Sequence, residues 1–117
     1  MRLHTFGVGA AFHNTNEASD FELAPLIGSG GQDVRLHVFH FGPGQYVGSH
    51  ATSVNQLFCV VSGDGWVTGA EGVQTPITAG EAAHWRVGEV HAAGTEATMS
   101  AIVVEGAFKV IAPLVRR

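Results

Sequence analysis

The chain has 117 residues, 45% hydrophobic and 14% charged, which supports one domain with a single core and room for a small pocket. A charged fraction well under the usual quarter argues against a disordered chain, and 16 glycines without a triplet period read as turn residues rather than collagen. The net charge of −4, with only 6 Lys and Arg, leaves no basic stripe for nucleic acid, and no apolar run is long enough to span a membrane.

Residues 1–33 read as edge strands or a dimer arm. The first fourteen residues contain one Arg and a short apolar stretch broken by His4, without the hydrophobic block of a signal peptide. Phe21–Ile27 is predicted as an edge strand, because Pro25 cannot donate to a central ladder. The segment Gly28–Asp33 is predicted as a flexible connection. Val34–Phe41 alternates and is rich in β-branched and aromatic residues, as a strand should be. Gln56–Val61 is nearly all apolar, the signature of a strand buried on both faces. Ser62-Gly-Asp-Gly65 predicts a hairpin turn and Trp66–Gly69 its return strand. Ala70–Gly72 then turns into Val73–Thr78, and further strands are predicted over Glu81–Arg86, Met99–Glu105 and Ala107–Ile111. No segment shows ten residues at helical spacing with caps. The expected fold is therefore a single all-β domain over residues 1–117, a sandwich or barrel.

Cys59 is alone, so no internal disulfide can form, and with no export signal a cytoplasmic location is expected. Low charge and positive mean hydropathy suggest apolar surface covered by a second copy, hence a homodimer.

Two segments carry the chemistry. Residues 44–63 hold Gly44, His50, Thr52, Gln56 and Gly63. Residues 80–95 hold Gly80, Arg86, Gly88, His91 and Thr95. Their spacing resembles the paired motifs of the cupin family, G-x5-H-x-H-x3–4-E-x6-G and G-x5-P-x-G-x2-H-x3-N. Thr52 stands in place of the second His, Gln56 in place of the Glu, Arg86 in place of the Pro and Thr95 in place of the Asn. The variant is similar to small single-domain bacterial cupins.

The resemblance implies a jelly-roll barrel, a double-stranded β-helix, with a divalent Fe, Mn, Ni or Zn ion inside. Carried over by position, the metal ligands would be His50, Gln56 and His91, with Thr52 a weak or water-mediated fourth. This set has no protein anion, so metal affinity should fall, and an anionic substrate would be needed to complete the coordination sphere. Thr52, Phe58 and His84 are the candidate substrate contacts, with core packing the competing role for Phe58 and His84. His84 and Glu89 are the candidate general bases. Glu81, Glu96 and Glu105 read as solvated, and Cys59 as a buried, inert thiol facing away from Gln56 and Phe58. His37 and His40 are three apart and cannot both face the barrel interior, and His4 and His13 read as surface residues. Two functions compete. One is a metal-dependent protein acting on or binding a small molecule, and the other is a metal-free binding or scaffold barrel.

Overall fold

The computed structural model describes residues 1–27 and 33–110. Among them are nine strands and two single 3-10 turns at 8–10 and 16–18, with no α-helix. In chain order the strands are β1 (Phe12–Asn14), β2 (Phe21–Ile27), β3 (Val34–Phe41), β4 (Tyr46–Ala51) and β5 (Asn55–Thr68). They continue with β6 (Thr75–Thr78), β7 (Ala82–Trp85), β8 (Val90–Gly94) and β9 (Met99–Gly106). No helix among the described residues is long and apolar enough to cross a membrane.

All pairings are antiparallel and follow the order β1-β2-β3-β9-β5-β8-β4, with β6 and β7 also on β5. The first half of β5 pairs with β9 and β7, and its second half with β6 and β8. One strand therefore belongs to two sheets, which close over a shared core. Strand alternation decides what enters that core. Phe39 and Phe41 of β3, Phe58 and Val60 of β5, Trp85 of β7 and Met99, Ala101 and Val103 of β9 all point inward and are buried. The rings of Phe21 and Phe39 lie 4.5 Å apart, and Phe58 stands edge-on to Phe39 at 6.3 Å. Burying each such ring stabilises the fold by about 1.5–3 kcal/mol.

The predicted hairpin at Ser62–Gly65 is absent: β5 runs straight through it for 14 residues. Gly63 has φ +75 and sits just past a register slip between Val60 and Ser62, so it bends the strand instead of reversing it. A Cβ there would collide with the Thr98 carbonyl, and one on Gly65 with the Gly94 carbonyl. These glycines serve the close crossing of backbones where β5 leaves β9 for β8.

Ala107–Val110 forms no strand. Gly106, at φ +133, turns the chain off the sheet, and the Ala107 N–H donates to the Asp33 carbonyl at 2.8 Å. Ile111 lies outside the described residues, as does most of the predicted Gly28–Asp33 connection. Phe21–Ile27 is a strand as expected but not the outermost one, since β1 pairs with it over Phe21–Leu23. Pro25 lies beyond that pairing, so its missing donor costs the β1 ladder nothing.

Candidate functional site

His50 and His91 face each other across β4 and β8, with ring centroids 4.6 Å apart. The β4 register slips between Val47 and His50, so three residue steps on β4 oppose two on β8. Without this bulge, residues three apart would face opposite sides; with it, buried Val47 and His50 both line the interior. Gly48 lies inside the bulge, where a Cβ would strike the Glu17 carbonyl of the 16–18 turn. Each imidazole is held by the backbone carbonyl two residues before it. His50 Nδ1–H donates to the Gly48 carbonyl at 2.7 Å, and His91 Nδ1–H donates to the Glu89 carbonyl at 3.1 Å. A carbonyl only accepts, so the neutral form of each ring carries its lone pair on Nε2. His91 is 2% exposed, and burial, reinforced by the neighbouring His50, holds its pKa below 6.5. Trp85 stacks on it at 4.2 Å and 21°.

Gln56, the second residue of β5, lies between Trp85 of β7 and Glu105 of β9. It is 6% exposed, its Nε2 donates to Glu105 Oε1 at 3.2 Å, and its Oε1 is buried without a partner. Glu105 also faces Arg35 of β3, at 3.6 Å from Nη2 to Oε2. A cavity of about 140 Å³ is lined by His50, Gln56, Glu105, Phe39, Val47 and Phe21, with Asn14, Asn16, Glu17 and Ser19 completing its wall. A wider hollow of about 370 Å³ is lined by Arg35, Asp33, Asn55 and Val87 among others. Among the described residues, no three of His, Cys, Asp and Glu gather as a metal-ligand group.

No protein-family model matches the sequence, and no curated protein is detectably similar to it. Solved structures are. A predicted oxalate decarboxylase from Thermotoga maritima superposes with a TM-score of 0.75 at 17% identity, over 90% of this chain and 100% of its own. A Cupin 2 conserved barrel domain protein from Salinispora arenicola gives 0.72 at 13% identity, over 92% and 89% of the two chains. An uncharacterised conserved protein with a double-stranded β-helix domain from Klebsiella pneumoniae gives 0.70 at 22% identity, over 90% of each. The chain has the cupin fold. At these identities the likeness is one of architecture.

Within the cupin barrel the motif residues part ways. His50 and Gln56 both line the cavity, and His91 lies behind them, beside the His50 ring and stacked on Trp85, the cross-strand partner of Gln56. Thr52 is buried just past β4, but its hydroxyl donates to the Val54 carbonyl at 2.7 Å and is spent on that turn. Phe58, 1% exposed, packs among Phe39, Phe41 and Trp85 rather than on the cavity wall. His84 is not brought to the site: it is exposed on the outer face opposite Leu57, its ring 6.1 Å from Phe108. Glu89 accepts the Arg86 N–H at 3.1 Å and closes the turn before His91. Thr95 is 1% exposed and donates to the Asp64 carbonyl at 2.7 Å, tying the end of β8 to β5. His13 is an exposed partner of Glu22 and Asp20.

Two inner-face residues were not among the sequence candidates. Glu105 is in phase with buried Met99, Ala101 and Val103, so its carboxylate lies at the cavity and not in bulk solvent. The expectation that Glu105 is solvated is thereby corrected, while the candidate set His50, Gln56 and His91 itself still holds no anion. His37 is in phase with Phe39, and its Nδ1 is buried without a partner. Burial lowers its pKa, against the opposing pull of Glu105. His40 points the other way. Its Nδ1 accepts from the Ser100 hydroxyl and its Nε2 donates to the Phe6 carbonyl, both at 2.9 Å. The alternation over Met99–Glu105 was the signal available for Glu105.

Proposed function

We propose that this cupin barrel binds a small polar molecule in its inner cavity, beside a divalent Fe, Mn, Ni or Zn ion held by His50 Nε2, Gln56 Oε1 and His91 Nε2. The observation that carries this is the buried, unpartnered Gln56 Oε1, which shares an inner face with two imidazoles whose lone pairs are also uncommitted. Leaving such a carbonyl oxygen unsatisfied costs about 1–3 kcal/mol, which a cation or a hydrogen-bond donor would offset. Two imidazole nitrogens and an amide oxygen suit a borderline transition metal, though more weakly than a set containing a carboxylate ligand. The bound ion would supply Lewis-acid polarisation of a ligand oxygen.

The chain's own residues do the rest. The Gly48 and Glu89 carbonyls fix the imidazole orientations, while Phe21, Phe39 and Val47 exclude water from one side of the cavity. Glu105 places a negative charge behind Gln56, so an anionic ligand is not required for charge balance. With Glu17 also at the cavity rim, a neutral or cationic ligand fits this wall better than a dianion.

Elemental analysis of protein purified without a metal-affinity tag, then incubated with each of the four metals, tests the proposal. Stoichiometric metal that is lost in His91→Ala is expected. Protein that stays metal-free with all four overturns it. A metal-free binding module is the second possibility, favoured by the lack of three close His, Cys, Asp or Glu side chains among the described residues. It predicts thermal stabilisation by small amines or polyols with no added metal.

A further inference from the structure

Four side chains stand in one row across the sheet. Arg35 of β3 is opposite Glu105 of β9, Glu105 is opposite Gln56 of β5, and Gln56 is opposite Trp85 of β7, which stacks on His91. The middle pair is a carboxylate facing a carboxamide. A carboxylate offers only acceptors, so it can engage only the NH2 end of the amide. Nε2 is therefore turned to Glu105, and the carbonyl oxygen is left buried and unpartnered. The reversed amide would press its oxygen against the carboxylate and leave its NH2 free to donate elsewhere, including to an imidazole lone pair.

From this we infer that Glu105 is a positioning residue: it selects which end of the Gln56 amide is free for the cavity, and Arg35 in turn steadies Glu105. Positions 56 and 105 hold an amide–carboxylate pair in the exchanged sense, with the charge one strand away from the atom that faces the site. The pairing stands on the hydrogen bond alone, whereas its consequence for metal rests on the function proposed above. Exchange of the two residues should keep the hydrogen bond while bringing the negative charge to position 56.

The test is a cycle of Gln56→Glu, Glu105→Gln and the double exchange. Each is followed by melting of the metal-free protein and by Zn²⁺ or Ni²⁺ affinity in competition with a chromophoric chelator. Gln56→Glu alone sets two carboxylates directly opposite each other, and the melting temperature should fall by about 4–8 °C, a shift typical of 1 kcal/mol in small domains. Glu105→Gln releases the choice of amide orientation and should weaken metal binding by about 10-fold or more, as loss of a ligand's supporting partner does. The double variant should recover the lost melting temperature and bind metal more tightly than the wild-type protein. A role of Glu105 confined to packing would leave metal affinity unchanged in Glu105→Gln. A double variant no more stable than Gln56→Glu overturns the pairing, even if the single variants fold poorly. Recovery of stability with no metal bound by any member of the cycle upholds the pairing and overturns the metal site.

Discussion

Adding a proton to His91 means placing charge on a ring that is 2% exposed, stacked on Trp85 and beside a second imidazole. Its pKa in the folded protein is below the ordinary 6.5, chiefly through burial. His37 is shifted the same way for the same leading reason. Between the folded and unfolded values the unfolded chain binds more protons, so this contribution to stability is whole above about pH 6.5 and lost as pH falls through the folded value. His13 is raised by its hydrogen bond to Glu22 and opposes the trend, but it sits on the surface, where salt screens it. Melting temperature should therefore decline from pH 7 to pH 5, and His91→Asn should decline less steeply. Parallel slopes for the two proteins would remove His91 as the cause. At this scale the grouping of His50, Gln56 and His91 came from the motif resemblance, because spacing alone does not show which strands meet. Glu105 and His37 were not, because alternation says which residues share a face but not which face meets a cavity.

Positive φ has two different uses among the glycines of this barrel, and β5 shows the more demanding one. Gly72 has φ +73, and a Cβ placed there would have nothing within 4 Å, as an open turn requires. Gly63 has φ +75 and in addition lies against the Thr98 carbonyl, where β5 bends between the sheets. The left-handed conformation alone costs an L-residue about 1–2 kcal/mol. Gly72→Ala should thus destabilise by about that much, while Gly63→Ala should cost clearly more, because backbone must also move. Urea midpoints of the two variants give the comparison, and equal losses would mean that Gly63 is an ordinary turn. The same pair explains why strands were easier to read than their joints. The period-two pattern of Val34–Phe41 and Met99–Glu105 survives in the structure, but a Gly-rich tetrapeptide such as Ser62–Gly65 has the same composition whether it reverses a strand or bends one. The β4 bulge that turns His50 inward is invisible for a related reason. It depends on the fit of Gly48 beneath the 16–18 turn, a contact between segments far apart in the chain.

Because β5 takes part in both sheets, the two are expected to unfold together. Trp66 lies in the half of β5 that pairs with β6 and β8, and Trp85 in the strand that pairs with the other half. Unfolding followed by tryptophan fluorescence and by far-UV circular dichroism should give superimposable transitions. Two separated midpoints would show that the sheets are independent. The all-β class followed from turn spacing, but not the strand order, since alternation carries no information about which strands pair. That order matters in time as well as in space. β3 and the first half of β5 both pair with β9, and β4 pairs with β8, so these ladders wait for strands that come late among the described residues. A chain emerging from the ribosome would hold its aromatic inner face, with His50 and Gln56, uncovered until Met99–Gly106 arrives, and the nascent protein would need shielding during that interval.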